Sequence, residues 1–545
     1  MTTRSLGHRA PLLWLALPLM AGIAAGKTGT LAPVGWLLGG AAVLAAAGIY
    51  AAWRAPRWWA LPLSVALFLT GNASYGLHRA RLPAWDALPP REVRVVLRVD
   101  RVFTQTDPKK ISGLATVVRA DSPVDEIPGQ RLYFSLALRR GEIAPVRSAL
   151  VSASGVMVTL PRNPPSDTFD GYLAGAGMNF RLTRGRILRE EKPPSAYRRF
   201  CARMAQRFSE ILGAGVIGKR PELVAVFRAM MLGQQGELSA EQDQLFMQSG
   251  TMHMFSISGL HIAVIAAGLQ ALLALVRLPR IARFATGLAA LWLYVDITGT
   301  APSAVRAFLM VAALQSCFLL RVPGNPLAAL SASAVAVLLV DPMQLFSASF
   351  QMSYGIVAAL ILLGLPLADA WSERGKLFVL LPKPAWRWHH HATERAWRQL
   401  LPAAAIGVAA TLVSAVSGVL FFQLFTPGAL LANLAMIPAA SLVIIAGFVS
   451  LLCGLTGCEA WTALFNHAAI LLLAVIEALV RGFVKVPGMW FAARFAAPWI
   501  GTLWFVLLLA ALLFGYAQHW RKKRGGFWPP FVVVVLALIF GVKFG

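Results

Sequence analysis

The chain has 545 residues, of which 57% are hydrophobic and 14% are charged, and its mean hydropathy is +0.64. This is more apolar material than one water-soluble core can bury, so the composition excludes a water-soluble globular protein and predicts a chain embedded in lipid. The formal net charge of +26 does not by itself indicate a nucleic-acid partner, because basic cytoplasmic loops account for part of such an excess in membrane proteins.

Three apolar runs open the chain, each close to the roughly 20 residues that cross a bilayer as a helix. They lie at about 11–25, 31–52 and 58–77. The first run lacks a good cleavage site and two more spans follow it directly, so it is not expected to be a signal peptide. Basic residues before it favour a cytoplasmic N-terminus. Residues 1–84 are therefore predicted to be transmembrane helices, and residues 85–195 are predicted to be periplasmic.

Residues 85–195 have the pattern of a small β-barrel such as an OB-fold. Alternating or β-branched stretches are separated by clusters of Gly, Pro, Asp and Lys, and about five short strands are expected. The stretches run over 92–103, 111–120, 130–138 and 149–160.

The same domain has a composition that favours contact with nucleic acid. Between residues 85 and 200 there are 19 Lys and Arg against 12 Asp and Glu. Basic residues together with aromatic rings can hold a phosphate backbone and stack bases. The aromatic residues concerned are Phe103, Tyr133, Phe134, Tyr172 and Phe180. The alternative is that these rings form the core of the barrel, and the sequence leaves this alternative open. The candidate DNA-binding residues are Arg131, Arg139, Arg140, Arg181 and Arg184.

The rest of the chain divides into two parts. Residues 196–252 are amphipathic and are predicted to form helices on the outer membrane surface. Residues 253–545 contain roughly eight to ten further apolar spans, which brings the expected total to roughly 11–13. The basic loop 368–399 is expected in the cytoplasm. The predicted fold is a polytopic α-helical membrane protein with an N-terminal, extracytoplasmic OB-like barrel.

Several stretches imitate binding motifs without the residues that the chemistry needs. Gly213–Lys219 has the glycine spacing of a phosphate-binding loop, but Arg220 stands where a Ser or Thr must hold magnesium. The three consecutive histidines at 389–391 lack partners at ligand spacing, so no metal site is expected. We therefore expect no cofactor, and movement of any cargo requires an energy source outside this chain.

Polar side chains within the apolar segments carry the most functional information, because they cost free energy in lipid. The densest cluster contains His253, Ser256, Ser258, Gly259 and His261. On a helix, the two histidines and Ser256 fall near one stripe, and Ser258 and His261 are neighbours three positions apart. Gly259 would let the backbone break or pack closely. A packing face of small residues is the alternative interpretation.

A second set of polar residues follows within later spans. It comprises Ser303, Arg306, Gln351, Ser353 and Asn433. Arg306 lies near the start of a span, where it either snorkels to the interface or faces a pore and meets an anion. The amides and hydroxyls need protein or water partners in hydrocarbon.

The order of these motifs resembles the ComEC family of competence proteins, inner-membrane channels through which transforming DNA enters the cytoplasm. The resemblance covers nearly the whole chain. Its segments are 161–173, 227–233, 250–262, 302–307, 347–354 and 432–438. Many members of the family end in a metallo-β-lactamase-like domain, whereas this chain ends in apolar spans. The resemblance therefore implies that a separate protein supplies any nuclease step.

The resemblance implies a multi-pass channel of the cell inner membrane that transports single-stranded DNA and is not itself an enzyme. The two sets of intramembrane polar residues above, from His253 to Asn433, are expected to line or shape the path, and the five candidate arginines to bind the strand outside. Implied partners are external DNA-uptake proteins and a cytoplasmic DNA helicase or single-strand-binding protein. Two other functions stay open: a small-solute transporter, and an intramembrane hydrolase that uses Ser258 or Ser256 with His261.

Overall fold

The structure is a computed structural model, and it describes most of the chain. The described residues are 12–29, 31–54, 58–79, 85–86, 88–103, 109–121, 127–138, 144–162, 164–165, 168–378, 381–521 and 525–545. Within them, the chain is a polytopic helical membrane protein with a small β-barrel near its N-terminus, which confirms the predicted fold class. Arg139 and Arg140 lie outside the described residues.

Three apolar helices precede the barrel. They are α1 (Leu13–Thr28), α2 (Val34–Arg54) and α3 (Ala60–His78). Glycines let α1 and α3 approach closely: a Cβ on Gly22 would overlap the carbonyl oxygen of Phe68, and one on Gly71 would overlap that of Leu19. Small residues at a helix crossing are a common means of helix packing in lipid, where no hydrophobic effect drives association.

The barrel has five strands within the described residues. They are β1 (Arg91–Phe103), β2 (Lys110–Ala120), β3 (Arg131–Ala137), β4 (Leu150–Thr159) and β5 (Phe180–Lys192). The strands close in the order β1-β2-β3-β5-β4, with β3 and β5 parallel and the other pairs antiparallel. Four strands match the predicted stretches. A five-stranded closed barrel suggests the OB-like domain that the sequence predicts.

Helices connect the barrel to the bundle. A short helix, α4 (Phe169–Gly175), lies between β4 and β5. Three helices follow the barrel: α5 (Ala196–Gly213), α6 (Pro221–Leu232) and α7 (Ala240–Gln248). The helical character of residues 196–252 agrees with the sequence pattern, but α6 is buried along most of its length and packs inside the bundle. That these residues lie on the outer membrane surface stays a prediction.

The bundle is built from eleven further α-helices in the described residues. They are α8 (Gly259–Leu275), α9 (Arg280–Ile297), α10 (Pro302–Leu320), α11 (Pro326–Val340), α12 (Ala348–Ala359), α13 (Leu365–Arg374), α14 (Trp388–Phe422), α15 (Ala429–Leu455), α16 (Glu459–Lys485), α17 (Pro498–Ala517) and α18 (Trp528–Phe540). A π-helical turn joins α12 to α13 at Leu360–Gly364. Short strands β6 (Leu424–Phe425), β7 (Phe491–Phe495) and β8 (Val542–Phe544) form a small sheet.

The number of described helices that meet the length of a membrane span is smaller than the roughly 11–13 that the sequence predicts. Nine helical segments of the described chain are long and apolar enough to cross a bilayer. Three shorter apolar helices, α1, α11 and α18, accompany them.

Two separate apolar cores hold the bundle together, and they divide it into two halves. The first half contains α5 to α10, α15 and α16. The second half contains α1, α3, α11, α12, α14, α17 and α18, and α13 packs on α14 in a small further cluster. The first helices of the chain therefore pack on its central and last helices.

Candidate functional site

The segment before α8 is a broken approach to the helix. Met252–Met254 forms one 3-10 turn, Ser258 is extended (φ −118°, ψ 177°), and the helix begins only at Gly259. The predicted helical stripe through the two histidines and Ser256 is therefore wrong. The physical reason is that the backbone N–H of Ser258 is taken by the imidazole of His261 rather than by a carbonyl of a preceding turn.

Ser258 and His261 are in contact, as their spacing predicts. The hydroxyl of Ser258 lies 2.9 Å from Nδ1 of His261, and the Ser258 backbone N–H donates to the same nitrogen at 3.3 Å. Because a backbone N–H can only donate, Nδ1 is the acceptor and the ring proton belongs on Nε2. His261 is 0% exposed and its Nε2 has no hydrogen-bond partner. A buried donor is thus left for a group that is not part of the described fold.

The other residues of this cluster lie nearer an open space. His253 and Gly259 are exposed, and Ser256 and Ser258 are half-buried. A Cβ on Gly259 would have no heavy atom within 4 Å, so Gly259 marks the break in the helix and not a close packing contact.

The starts of α8 and α10 lie side by side. The hydroxyl of Ser303, at the start of α10, donates to the carbonyl of Ile257, two residues before α8, at 2.6 Å. The start of α15 lies instead beside Gly250, where a Cβ would be 2.7 Å from the Cβ of Ala429. Because the N-terminus of a helix carries partial positive charge, the starts of α8 and α10 together favour an anion near them.

Arg306 joins the two halves of the bundle at their seam. It lies on α10 in the first half, and its Nη2 donates to the carbonyl and hydroxyl oxygens of Ser349 on α12 in the second, at 2.8 and 2.7 Å. The side chain is 1% exposed, so it does not snorkel to an interface. Its Nε and Nη1 have no hydrogen-bond partner, and no carboxylate of the described chain lies within 4 Å of the guanidinium. A buried cation is therefore left with two free donors.

The remaining candidates lie at intermediate exposure around these helix starts. Asn433 is one turn into α15, and its buried Oδ1 has no hydrogen-bond partner. Gln351 follows Ser349 on α12, and its amide donates to the carbonyl of Leu345 at 3.1 Å. Ser353 is half-buried on the same helix. The structure thus brings Ser303, Arg306 and the start of α12 together by direct contacts, and places Asn433 on a neighbouring helix.

The candidate arginines of the barrel are partly used in contacts within the protein. Arg131 pairs with Asp341 of the bundle at 3.3 Å, and Arg181 pairs with Asp170 at 2.7 Å. Arg184 is exposed, with a positive φ of 52°.

A buried carboxylate that the sequence reasoning missed ties the barrel to the bundle. Asp296, at the end of α9, accepts from Arg198 at 2.8 Å and from the hydroxyl of Tyr197 at 2.7 Å, both on α5. Arg147, just before β4, lies 3.6 Å from the same carboxylate. Burial, then the hydrogen bond to Asp296, raises the pKa of Tyr197. In the sequence, Asp296 could have been recognised as the one acidic residue in a long apolar segment.

The described residues contain no group of three or more His, Cys, Asp and Glu side chains arranged to hold a metal ion. His389, His390 and His391 lie in the first turn of α14.

Comparisons with known proteins agree on one family. The model of the competence protein family matches residues 230–518, more than half of the chain. The chain is 27% identical over 223 residues to ComE operon protein 3 of Bacillus subtilis, which covers 38% of this chain and 29% of that protein. It is 30% identical over 163 residues to competence protein ComA of Neisseria gonorrhoeae, which covers 28% of this chain and 22% of that protein. No solved structure matches.

Proposed function

This chain belongs to the competence protein family, and from that premise we propose that it is the inner-membrane channel that carries single-stranded transforming DNA into the cytoplasm. Matches that cover 29% and 22% of the two named relatives support a role in competence, and the transport of single strands is our inference from the site. The proposal places residues 85–195 in the periplasm and treats the protein as a conduit rather than an enzyme.

The observation that carries the proposal is Arg306. A guanidinium taken out of water is costly unless an opposite charge compensates for it, and the described chain supplies none within 4 Å. It lies at the seam of the two halves, beside helix starts that also favour negative charge. A chain of phosphodiesters passing the seam supplies that charge one phosphate at a time.

Two polar groups on α8 and α15, in the same half of the bundle as Arg306, suit transient contact with such a strand. His261 Nε2 is a free donor, while Asn433 Oδ1 is a free acceptor that fits a base or sugar hydroxyl better than a phosphate. A conducting path must bind its cargo well enough to admit it and weakly enough to release it. A path that contains few cations, with neutral polar groups beside them, meets that requirement.

The proposed partners follow from what a conduit lacks. External uptake proteins deliver the strand, a cytoplasmic helicase or single-strand-binding protein draws it inward, and a separate nuclease removes the other strand if that step is needed.

The test is transformation in a deletion strain that carries variants of this gene. We expect Arg306→Ala to lower transformation frequency sharply while the protein still accumulates in the membrane. Arg306→Lys should retain part of the function, because an ammonium keeps the charge but cannot both hold Ser349 and meet a phosphate.

The matched control is Arg321→Ala, which removes an exposed arginine at the end of the same helix and should transform normally. Normal transformation by Arg306→Ala at wild-type protein level would show that the path does not pass Arg306.

One contact favours a second candidate, an intramembrane hydrolase. The hydroxyl of Ser258 lies 2.9 Å from Nδ1 of His261, within reach for a nucleophile and its base. A base of this kind is normally oriented by a third group, and Nε2 of His261 has no such partner in the described chain. We therefore favour the channel.

A further inference from the structure

We propose that the outer barrel stacks unpaired nucleobases on the exposed rings of a series of four aromatic residues, Phe103, Tyr133, Phe169 and Tyr172, here called the aromatic row; Tyr133 is buried and supports its neighbours. This inference rests on the proposed function and names the part of the outer domain that holds the strand. The rings come from β1, β3 and α4, three separate stretches of the chain.

The rings form one continuous series. Phe103 stacks on Tyr133 with their centroids 6.3 Å apart, and Tyr133 meets Phe169 edge-on at 5.1 Å. Phe169 in turn stacks on Tyr172 at 5.9 Å with the rings 20° from parallel. Phe169 is 47% exposed and Tyr172 is 42% exposed. The row therefore ends in two large rings with accessible surface.

The row is distinct from the barrel core. Phe134 and Phe180 fill that core and are 2% and 0% exposed, so for these two the core interpretation of the aromatic residues is correct. Tyr133 belongs instead to a small apolar cluster outside the core, with Leu173 and Met178. That cluster fixes the inner end of the row while leaving the outer rings accessible.

Charge near the row suits a polyanion. The guanidinium of Arg101 lies over the ring of Phe103 at 5.4 Å, and that of Arg181, which also pairs with Asp170 at 2.7 Å, lies over Phe169 at 5.6 Å. Aromatic rings for the bases, with arginines beside them for the backbone, are the combination that proteins use to bind single strands without sequence preference.

The place of the row in the barrel agrees with this ligand. Phe103 ends β1 just before the β1–β2 connection, and α4 lies within the β4–β5 connection. Barrels of the OB type bind oligonucleotides at these two connections.

The row also lies beside the seam of the bundle. A Cβ on Gly175, the last residue of α4, would lie 3.4 Å from the carbonyl oxygen of Phe346. Phe346 comes three residues before Ser349, which holds Arg306. Bases on the row are thus next to the segment that leads to the proposed phosphate contact.

The test measures binding to the full-length protein in lipid nanodiscs. The probes are a fluorescent oligothymidylate and an abasic oligonucleotide of the same length, which has the phosphates without the bases. We expect the wild type to bind oligothymidylate more tightly. The double variant Phe169→Ala/Tyr172→Ala should lose on the order of tenfold or more in that affinity and bind both probes equally. Tyr172→Phe should bind as the wild type does.

Val118→Ala is the matched control, because it removes an exposed apolar side chain from β2 of the same barrel. Equal affinity of the wild type for the two probes, or no loss in the double variant, would overturn the proposal.

Failure of this inference is distinguishable from failure of the channel. If Arg306 variants lose transformation while the row variants bind DNA normally, the proposed channel is supported and the proposed binding of bases by the aromatic row is wrong. If the row binds bases but Arg306→Ala transforms normally, the role of the aromatic row is supported and the proposed path past Arg306 is wrong.

Discussion

Among the candidate path residues of the described chain, three side chains keep buried polar atoms without hydrogen-bond partners, and they lie on α8, α10 and α15. They are His261, Arg306 and Asn433. An unsatisfied buried group costs about 1–3 kcal/mol, and more when it is charged. A fold that retains these groups carries a cost that a ligand can offset. This is why these residues, rather than the better-satisfied Ser303 and Gln351, are the sharper tests of the path.

The first prediction separates a path from a hydrolase. His261→Ala should reduce transformation strongly, because it removes both the free Nε2 and the acceptor of the Ser258 backbone N–H. Ser258→Ala should have a smaller effect, because that backbone contact survives the loss of the hydroxyl. Transformation frequency at matched protein level is the measurement. Equal loss in both variants, together with inhibition by a serine-directed reagent, would favour the hydrolase.

The second prediction concerns Asn433. Asn433→Asp should lower transformation more than Asn433→Ala does, because a carboxylate repels phosphates that pass a buried site, whereas alanine only removes a polar contact. The stability of both purified variants in detergent is the control, because it shows whether Asn433 stabilises the bundle. Loss of stability in parallel with loss of transformation would assign Asn433 to the structure of the bundle and not to the path.

At the scale of elements, Asp296 is one of two carboxylates, with Asp341, through which the barrel contacts the bundle. Asp296→Ala leaves Arg198 and the Tyr197 hydroxyl without their acceptor. We expect a loss on the order of 2 kcal/mol of stability, less than for a fully buried pair because both arginines keep contact with water. Thermal unfolding in detergent measures it. Adding Arg198→Ala should then cost little more, and fully additive losses would mean that the two residues do not interact.

The crossing of α1 and α3 gives a prediction about packing. Gly71→Leu should separate the two helices, because even a Cβ at this position overlaps the carbonyl oxygen of Leu19. The expected result is low accumulation of the protein in the membrane, measured by immunoblot. Gly39→Leu on α2 is the control, since a Cβ there has no neighbour within 4 Å. Equal accumulation of the two variants would contradict the crossing.

The sequence reveals elements more readily than contacts between them. Four strands of the barrel follow from residue alternation, but β5 escaped because its apolar positions are sparse and its register shifts beside Gly155. The broken approach to α8 depends on a side chain, His261, that takes a backbone N–H, and helical periodicity does not show this. Apolar length alone, by contrast, predicts the long spans.

The candidate site was predictable as a set of residues but not as an arrangement. Arg306 and Ser349 are 43 residues apart, and Arg198 and Asp296 are 98 residues apart. No local sequence pattern indicates that residues so far apart in the chain are in contact. The pairing of Arg131 with Asp341 likewise shows that a basic residue on the barrel serves the fold, where charge alone had favoured DNA.

At the scale of the whole molecule, the proposed channel requires the barrel to face outward and the basic connection after α13 to face the cytoplasm. The three helices before the barrel and the basic residues of 368–399 predict this orientation. The barrel's contacts through Asp341 and Asp296 then place the ends of α9 and α11 on the outer side as well. A strand held by the barrel thus reaches the bundle on the side from which it must enter.

The final prediction tests that orientation with single cysteines in a background without Cys201, Cys317, Cys453 and Cys458. In intact spheroplasts, a membrane-impermeant maleimide should label Val118→Cys, which is exposed on β2. It should label Lys376→Cys, exposed after α13, only once the membrane is permeabilised. The reagent does not cross lipid, so labelling reports the side on which each thiol lies. Transformation by both variants shows that the orientation measured is that of working protein. Labelling of Lys376→Cys in intact spheroplasts, with protection of Val118→Cys, would show that the protein has the opposite orientation. That result would exclude the barrel as the receiver of external DNA.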